Sequence, residues 1–569
     1  TFSIYHHITQ ICGQTSGITT DLCDVMINTK GAFNDYPGLF FRTLMINDPT
    51  FATNTTSQRF GTKTLIGCGE LRSTGGTSSV ENLTIATGGT YNDNSKGGTV
   101  EVTGDFTISG GLIGASAVDL NGSQQHYSTV SAVAVGTNSA WTIEGWMKRD
   151  DGVSGNQVFV ELKTASDNNN RVWFNIDTDD VQMLIYDNNG NGGQVRTTGL
   201  SLNDGKWHHV ACTYDSTTVK IYVDGKLENQ GDISKPMDNT DDRIINVGAN
   251  VGTYANEFTG AIDEVRIWSD VRTEAEIRAN MFSEVSSGDG LVQNWRFNEG
   301  TGDTASANVG SSLSARVGGN TASSQSASLW VGAGTLSSAS TSTFTMSGAN
   351  KFITYSGVED IGSLNVTGTI TLKDLSGGNS SFRLTGNTFT CGSGATLSSD
   401  SSEKLRFMNG MDAGTVTFAD PATNVVGLSA IFNEMTSPRS LNIPEVTMFY
   451  FRQNGTGTTV ATGNHTFTSE LEINNGTYNA NGKTITSKLV DMNGTGTFTL
   501  GASGLVLNNT SGGFTSDSTS VLNAGPGCAI GGDASGQKVP FQSQNSFQIV
   551  GDIDDLNVTN EELTVVGTV

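Results

Sequence analysis

Three segments dense in Asp and Asn carry side chains suited to chemistry with a polar ligand. They read SDNNNR (166–171), YDNNGNGG (186–193) and DNTDDR (238–243). Carboxylates and amides offer paired acceptors and donors to sugar hydroxyls, and their oxygens also suit Ca²⁺. The same composition is typical of turns, because Asn and Asp tolerate left-handed backbone conformations, so both interpretations stay open. We predict that these residues contact a glycan or a protein receptor: Asp167, Asn169, Asp187, Asn189, Asp238 and Asp241.

Two adjacent histidines, His208 and His209, stand in the phrase WHHV. The surrounding apolar alternation predicts a strand, and neighbouring side chains of a strand point to opposite faces. The two imidazoles therefore cannot easily bind one metal ion, and we predict structural roles for both. Signature motifs of zinc peptidases, serine hydrolases and P-loop enzymes are absent, so no catalytic residue is predicted.

The segment around these histidines, residues 206–226, predicts an antiparallel hairpin with one buried face. It reads KWHHVACTYDSTTVKIYVDGK, in which apolar residues recur at every second position. Asp224-Gly225 is a strong signal for a tight hairpin turn. One short helix is predicted nearby, because Thr273 and Glu276 in RTEAEIRANM form a capping box.

A second type of sequence pattern predicts short strands separated by Gly or Asn. The phrases VEVTGDFTISG, from Val100, and LNVTGTITLKD, from Leu364, resemble each other in apolar spacing. Aligned without a gap, they pair Val100 with Leu364 and Phe106 with Ile370. Apolar residues at period two followed by a small polar turn predict a β-solenoid or a stacked β-sandwich array, and the irregular period leaves both open.

The matching phrases lie on both sides of residues 115–330, which contain all seven tryptophans. Such a concentration of large aromatic residues indicates a compact sandwich core. We therefore predict an all-β chain in three parts: a β-rich stalk region at 1–114, an inserted sandwich domain at 115–330, and a β-rich, solenoid-like repeat region at 331–569.

Composition limits the partners of the chain. It has 569 residues, a formal net charge of −25 and only 15% charged residues. Nucleic acid is excluded as a partner because a phosphate backbone needs clusters of Lys and Arg. No apolar run reaches the roughly 18 residues of a membrane span. The six cysteines form no C-x-x-C pair, and a bridge between Cys12 and Cys23 stays open.

Ordered phrases within 115–330 resemble the LamG-like, concanavalin A-like lectin/glucanase superfamily. They are AVDLNGSQQHY, WTIEGWMKRDD, the hairpin phrase above, GAIDEVRIWSDVRTEAEIRANM and GLVQNWRFNEGTG. The resemblance implies a jelly roll of two antiparallel sheets with six or seven strands each. The flanking regions are rich in Thr, Asn and Gly, and in this composition they resemble phage fibre proteins and bacterial surface adhesins.

The resemblance also implies a structural calcium ion on the convex sheet. Asp263 of GAIDEVRIW matches the family's metal-binding Asp, and Asn121-Gly122 matches an early phrase that often reads Asp-Gly. Ca²⁺ prefers six to eight oxygen ligands, so a carboxylate with backbone carbonyls can suffice. The alternative is that Asp263 holds a loop by hydrogen bonds.

Glucanases of this superfamily carry carboxylates as E-x-D-x-x-E or E-x-D-x-E on one strand. No such phrase occurs within 115–330, where Glu161 of VFVELK stands alone. Trp173, beside the first polar loop, is predicted to pack in the core rather than to stack on a sugar. We therefore predict a non-enzymatic protein, with a carboxylate pair assembled across repeats as the alternative.

The function that follows is display of a lectin-like domain for glycan or receptor binding, outside the cell or on a virion. A phage appendage and a bacterial adhesin both suit this expectation. The alternatives are a polysaccharide-degrading tailspike and a purely architectural virion protein. A homotrimer or a larger fibre or virion assembly stays open.

Overall fold

The computed structural model describes part of the chain, and every structural statement below concerns that part. The described residues are 8–11, 23–27, 32–33, 41–46, 52–55, 63–66, 70–73, 77–86, 89–92, 98–108, 111–114, 116–123, 125–129, 131, 140–164, 169–233, 243–250, 256–300, 302–317, 335–337, 342–355, 358–374, 381–386, 388–400, 404–408, 415–419, 427–437, 439–501, 504–507, 514–516, 520–524, 529–532, 541–543, 548–550 and 555–557.

These residues form short strands and one helix, so the predicted all-β class is confirmed. The first group of strands is β1 (Ile8–Ile11), β2 (Cys23–Ile27), β3 (Ala32–Phe33), β4 (Phe41–Ile46), β5 (Ala52–Thr55), β6 (Lys63–Ile66), β7 (Glu70–Ser73), β8 (Thr77–Val80), β9 (Asn82–Ile85), β10 (Thr90–Asn92), β11 (Gly98–Val102) and β12 (Phe106–Ile108). The second group is β13 (Val118–Asn121), β14 (Gln125–Thr129), β15 (Trp141–Arg149), β16 (Asn156–Thr164), β17 (Arg171–Asp177), β18 (Asp180–Tyr186), β19 (Gly192–Arg196), β20 (Trp207–Tyr214), β21 (Thr218–Val223), β22 (Lys226–Asp232), β23 (Arg243–Val247), β24 (Thr259–Trp268), helix α1 (Glu274–Asn280), β25 (Leu291–Trp295), β26 (Thr304–Ala305), β27 (Ala307–Val309) and β28 (Leu313–Val317).

The third group completes the described chain. It contains β29 (Thr335–Ser337), β30 (Ser342–Met346), β31 (Lys351–Tyr355), β32 (Val358–Ile361), β33 (Ser363–Val366), β34 (Thr369–Asp374), β35 (Ser381–Leu384), β36 (Thr388–Cys391), β37 (Thr396–Ser399), β38 (Lys404–Phe407), β39 (Thr415–Phe418), β40 (Ala430–Asn433), β41 (Ser440–Ile443), β42 (Val446–Gln453), β43 (Thr458–Ala461), β44 (His465–Ile473), β45 (Thr477–Asn479), β46 (Ile485–Met492), β47 (Thr497–Gly501), β48 (Gly504–Leu507), β49 (Phe514–Ser516), β50 (Val521–Ala524), β51 (Ala529–Gly532), β52 (Phe541–Ser543), β53 (Gln548–Val550) and β54 (Asp555–Asn557).

The first and third groups stack as a parallel β-solenoid, which decides between the two architectures that the sequence leaves open. Apart from β1 and β2, which pair antiparallel, the described strands pair in parallel with their counterparts one turn later, as Val446 does with His465 and His465 with Ile485. Where burial is described, alternation places apolar side chains inside the solenoid, so that Phe451 and Leu471 lie in the interior. Stacked apolar columns of this kind form one continuous core along the solenoid.

The solenoid continues across the inserted domain without a break in its sheets. Strand β12 pairs in parallel with β31, β11 with β30, and β10 with β29. The last turn before the insertion therefore lies directly on the first turn after it. The domain between them, β13 to β28 with α1, is called the sandwich below.

The observed strand pairing corrects the alignment of the two similar phrases that begin at Val100 and Leu364. Val100 pairs with Phe344, which pairs with Leu364, so the phrases lie two turns apart in the expected register. Their second halves differ from the expectation, because Phe106 reaches Leu372 through Ile353, rather than Ile370. The shift of two residues keeps the same face buried, since the side-chain period of a strand is two.

The sandwich consists of two antiparallel sheets whose inner faces share one apolar core. We call one the docked sheet, with strand order β22-β21-β20-β15-β24-β25-β27 and β13 beside β24. The other, the polar sheet, has the order β19-β18-β17-β16-β23-β14-β28-β26. Each therefore has eight described strands, more than the six or seven that the resemblance implies.

The local predictions within the sandwich hold except one: the hairpin is not buried on a single face, because every residue of β20 is buried. Strands β20 and β21 pair antiparallel, and the turn from β21 to β22 places Asp224 and Gly225 at φ +51° and +73°. Two consecutive positive φ values are typical of the tight hairpin turn that Asp-Gly predicts. Helix α1 begins at a complete capping box, in which Thr273 and Glu276 bond each other's backbone N–H groups.

The docked sheet rests on the solenoid through its outer face. Trp146, Trp207 and Phe282 of the sandwich form one buried cluster with Leu65 of the solenoid and Leu112 of the connecting segment. The tryptophans therefore do not mark one core as expected, because Trp146 and Trp207 lie at this junction. Trp141 and Trp295 pack between the sheets, and Trp330 lies outside the described residues. No described helix is long and apolar enough to span a membrane.

Candidate functional site

The outer side of the polar sheet carries a continuous set of polar and aromatic side chains. Strand β17 shows its origin, because Val172, Phe174 and Ile176 enter the core while the intervening residues point away from it. We call this surface the polar face. It comprises Ser128, Glu161, Arg171, Trp173, Asn175, Gln182, Tyr186, Gln194 and Asn246, and the aliphatic Leu184 lies among them opposite Trp173.

At the centre of the polar face lies the carboxylate of Glu161. It accepts hydrogen bonds from Trp173 Nε1 at 2.6 Å and from Asn246 Nδ2 at 2.8 Å, and Asn246 Oδ1 accepts from Ser128 Oγ at 2.6 Å. Glu161 and Asn246 have no exposed surface. These charge-assisted bonds fix the orientation of the Trp173 indole.

The exposed part of the face is an aromatic and cationic stack. The guanidinium of Arg171 lies 3.8 Å from the ring centroid of Trp173 and 5.3 Å from that of Tyr186. Trp173 is half-buried on the outside of the sheet, so the prediction that it packs in the core is wrong. The sequence contains this information, because Arg171, Trp173 and Asn175 alternate with apolar residues and therefore share one face of the strand.

A row of amides continues the face toward β19. Gln182 Nε2 donates to Gln194 Oε1 at 2.7 Å, and Asn175 Nδ2 donates to Gln182 Oε1 at 3.4 Å. Amides present both donors and acceptors, so this row suits a hydroxyl-rich ligand better than a purely ionic one. None of these three residues belongs to a sequence motif that predicts binding.

Two of the predicted polar loops meet at one edge of the polar face. The backbone N–H of Asn170 donates to the carbonyl of Asp187 at 2.8 Å, and a Cβ at Gly190 would lie 2.9 Å from Asn169 Oδ1. Asp187 Oδ1 accepts from the N–H of Asn189 at 2.9 Å, so Asp187 serves the turn itself.

The structure thus brings together three of the predicted contact residues, Asn169, Asp187 and Asn189. They lie beside Arg171 and Tyr186, which pair across β17 and β18. Their contact with a ligand stays a prediction. Asp167, Asp238 and Asp241 lie outside the described residues.

The residues expected to bind calcium are not brought together. Asn121 lies opposite Thr259 on β24, and Asp263 follows four residues later, roughly 13 Å along the strand. Asn121 Oδ1 accepts from Ser123 N at 2.9 Å. Gly122 has φ +69°, and a Cβ there would lie 2.1 Å from Thr259 Oγ1, so this glycine serves a tight turn.

Asp263 is fully buried and holds a loop, as the alternative interpretation expects. Its Oδ2 accepts from the backbone N–H of Leu112 at 2.9 Å and of Ile113 at 3.2 Å. Burial and the charge of Glu264 raise the pKa of Asp263 well above its usual value, against these two hydrogen bonds. The side chains of Asn121 and Asp263 therefore do not meet, and no group of three or more acidic, His or Cys side chains that could hold a metal is found among the described residues; calcium binding stays a prediction.

The two adjacent histidines occupy opposite environments, as the strand pattern predicts. His208 contacts Asp224 Oδ2 at 3.0 Å and Asp204 Oδ1 at 3.2 Å. Burial would lower the pKa of His208, but these carboxylates raise it to about 10. Burial and the nearby Arg266 lower the pKa of His209 to about 3, and its ring packs against Trp146.

Comparisons with known proteins identify the fold of the sandwich. Residues 121–278 match the model of the concanavalin A-like lectin/glucanases superfamily. Curated relatives are the sushi, von Willebrand factor type A, EGF and pentraxin domain-containing protein 1 of Rattus norvegicus and of Mus musculus. They are 27% identical over 158 residues and 28% identical over 157 residues. Each match covers 25% of this chain and 4% of the relative, so the shared segment is a small part of both proteins.

Two solved structures are similar in fold. One is the CBM40 of the Ruminococcus gnavus IT-sialidase bound to α2,3-sialyllactose, with 17% identity, a TM-score of 0.25 and coverage of 29% of this chain and 95% of that chain. The other is the native heptameric SAP-like pentraxin of Limulus polyphemus, with 10% identity, a TM-score of 0.26 and coverage of 36% and 94%. The family match at residues 121–278 assigns the LamG-like, concanavalin A-like fold to the sandwich.

Proposed function

We propose that the sandwich binds a glycan through the polar face and that the solenoid displays it as a stalk. The observation that carries the proposal is the stack of Arg171 on Trp173 above the buried Glu161. Aromatic surface with a few fixed polar groups is typical of small-ligand sites. The lectin-like fold supports the same function, although a fold alone does not determine one.

The charges at the edge of the polar face favour a sugar that carries a carboxylate. Lys163 and Arg171 are cross-strand neighbours there, in a chain of net charge −25. A guanidinium offers a planar fork of donors that matches a carboxylate. The amides of Gln182 and Gln194 then serve the hydroxyls of adjacent sugars.

The setting of this activity is a surface outside the cell or on a virion, as in a phage appendage or a bacterial adhesin. A solenoid whose turns support their neighbours suits an extended stalk. The acidic surface keeps the protein soluble and discourages contact with nucleic acid. The protein acts without catalysis, and its partner is a cell-surface glycan or a glycosylated receptor.

A glycan array tests this proposal directly. The full chain is compared with Arg171→Ala and Trp173→Ala, which remove the two halves of the stack. Phe449→Ala is the matched control, because Phe449 is 59% exposed on the solenoid and far from the polar face in the chain. We expect both sandwich variants to lose binding to carboxylated glycans and the control to retain it. Full binding by both sandwich variants would reject the polar face as the site.

A second candidate function, polysaccharide cleavage, is favoured by one feature of the solenoid. Glu470, Glu472 and Asp491 lie on the outer face of adjacent strands β44 and β46, where Glu472 pairs with Asp491. Burial and the charge of Asp491 raise the pKa of Glu470. Glycoside hydrolysis requires two carboxyl groups that flank the scissile bond, and these acidic residues are the candidates for that pair.

Arg452 and Asn474 hold Glu472 by hydrogen bonds of 2.6 and 2.7 Å, which suits a structural role for that residue. The release of new reducing ends from bacterial polysaccharides, compared between the native chain and Glu470→Gln, distinguishes the two functions. Cleavage that the variant loses would establish the second candidate. Binding on the array with no release of reducing ends supports the first.

A further inference from the structure

A cleft of about 790 Å³ lies where the sandwich meets the solenoid, away from the polar face. One wall is the outer side of the solenoid sheet that contains β9, β12, β31 and β34. The other wall consists of the segments that follow α1 and β25, with the connecting residues 112–114 at its end. Its volume lies within the range of about 300–1,000 Å³ that small-molecule sites occupy, and such sites are common between domains.

The solenoid wall presents hydroxyl groups in a regular column. The column consists of four residues that pair from one strand to the next and that all line the cleft: Thr84, Thr107, Thr354 and Lys373. Neighbouring strands lie about 4.8 Å apart, which is close to the length of one sugar ring in a chain. A linear saccharide along this column would meet one polar group for each unit.

An exposed aromatic ring lies beside this column. Phe352 is 40% exposed, one of three large apolar residues exposed to that degree in the described part of the chain. Its backbone N–H donates to Asp105 Oδ1 at 3.1 Å, and Lys373 Nζ lies 5.9 Å from its ring centroid. The backbone bond fixes the strand position of Phe352, and its ring is the aromatic platform on the solenoid wall of the cleft.

The sandwich wall supplies directed polar groups opposite this platform. Arg296 NH1 lies 3.7 Å from Glu284 Oε2, and Asn298 Nδ2 donates to Glu284 Oε1. Glu299 Oε1 accepts from Ser306 N at 2.7 Å. These contacts hold three charged side chains and one amide in place along the cleft.

The charges of the lining residues indicate a neutral ligand. The carboxylates are Asp105, Glu284 and Glu299, and the cations are Arg296 and Lys373. This near balance disfavours both a polyanion and a polycation. An apolar ligand would leave the charged and hydroxyl groups without solvent, which is costly.

We propose that the cleft binds a neutral oligosaccharide, with one sugar ring stacked on Phe352 and its hydroxyl groups bonded by the threonine column and by the side chains of the opposite wall. This second glycan site does not depend on the polar face. Because its walls come from the solenoid and the sandwich, the ligand bridges the two parts and stabilises their relative position.

Titration calorimetry on the full chain tests the proposal. The probes are a panel of uncharged linear hexasaccharides, including cellohexaose and maltohexaose, and a hyaluronan hexasaccharide that carries carboxylates. We expect an uncharged probe to bind, and Phe352→Ala to weaken it at least about tenfold, which corresponds to about 1.4 kcal/mol. Thr107→Trp, which fills the cleft from the solenoid wall, should abolish binding in the same way.

Two controls separate this site from the other. Phe449→Ala removes an exposed phenylalanine elsewhere on the solenoid, and Trp173→Ala disrupts the polar face, so neither should alter binding of the uncharged probe. Three results would overturn the proposal: no uncharged probe binds the native chain at millimolar concentration, Phe352→Ala and Thr107→Trp bind normally, or only the hyaluronan probe binds at the cleft. Loss of binding in Trp173→Ala alone would assign the probe to the polar face.

Discussion

The solenoid and the sandwich differ most in what they bury. The described solenoid interior is a set of apolar columns, interrupted by polar groups that bond one another, such as Asn433 with Gln453 and His465 with Tyr478. The sandwich buries more ionisable side chains, among them Glu144, Asp263, Glu264 and Arg266, whereas the solenoid buries the acid Glu359. A solenoid turn is stabilised by contact with similar turns on either side. The sandwich must in addition be attached to the solenoid and support the side chains of the polar face.

The buried charges of the docked sheet have an identifiable task. Arg266 contacts Glu264 at 2.7 Å and Glu144 at 3.6 Å, and its NH1 donates to the carbonyl of Asn280 at the end of α1. Asp263 on the same strand holds the segment that enters from the solenoid. These side chains thus fix the end of helix α1 and the entering segment against the outer side of the docked sheet.

The largest expected effect comes from separating the two regions. Residues 115–330 alone should unfold cooperatively, with a native tryptophan signal, but at a lower temperature than in the full chain. The reason is that Trp146, Trp207 and Phe282 lose their cover, at about 1.5–3 kcal/mol for each large side chain. Calorimetry of both chains measures this difference. An insoluble or non-cooperative product, after adjustment of the ends, would show that the sandwich depends on the solenoid to fold.

A pair of matched substitutions tests the contrast in buried charge. Arg266→Leu should lower the free energy of unfolding by about 3–5 kcal/mol, because it leaves Glu144 and Glu264 buried without a counter-charge. Arg452→Leu breaks a partly exposed pair with Glu472 on the solenoid and should cost less than about 1 kcal/mol. Denaturant titration measures both changes. Equal effects would remove the distinction between the regions.

The attachment through Asp263 is tested by Asp263→Ala. The variant loses two hydrogen bonds to the segment at Leu112 and Ile113, so we expect it to be less stable by about 1–3 kcal/mol. The same loss should appear with and without EDTA, since the predicted calcium ligands do not lie together. A melting temperature of the native chain that falls on chelation would instead establish a calcium ion, because a bound ligand stabilises the folded state.

Above about pH 8, alkaline pH should affect the sandwich more than the solenoid, because burial raises the pKa of Glu359 in the solenoid only to about 8 and its contribution is already lost there. The pKa of His208 rises from about 6.5 when unfolded to about 10 when folded, so its contribution is complete below pH 6.5 and is lost as pH rises toward 10. The loss is at most about 1.4 kcal/mol per pH unit. Burial lowers the pKa of His465 in the solenoid to about 4, so its contribution is lost as pH falls from 6.5 toward 4.

Melting curves between pH 7 and 10 check this difference. The tryptophan signal of the sandwich should move to lower temperature as pH rises, and His208→Gln should remove that dependence. A similar slope in the variant would mean that other groups are responsible.

The two regions also differ in how far their sequences predict them. Period-two phrases such as that from Val100 predict the strands of the solenoid, but only the pairing shows that Phe106 lies two turns from Leu372. The hairpin turn at Asp224-Gly225 and the helix cap at Thr273 are local, so the sequence predicts them fully.

The sites were less predictable because they depend on distant contacts. Alternation on β17 shows that Trp173 shares a face with Arg171, but not which face the second sheet covers. The sequence offers a loop-holding role for Asp263 only as an alternative, because its partners Leu112 and Ile113 lie about 150 residues away. The cleft at Phe352 joins segments from both sides of the insertion, which no local pattern reveals.

The central claim, that the sandwich binds the glycan and the solenoid displays it, is tested most directly by deleting the sandwich. Since β12 pairs with β31, a short linker in place of 115–330 should leave the solenoid stacking intact. Attachment of the native and the shortened chain to cells or to glycan-coated surfaces is then compared, with circular dichroism to verify the β-structure. We predict that the shortened chain folds but no longer attaches. Undiminished attachment without the sandwich would contradict the account and favour a purely architectural role for this domain.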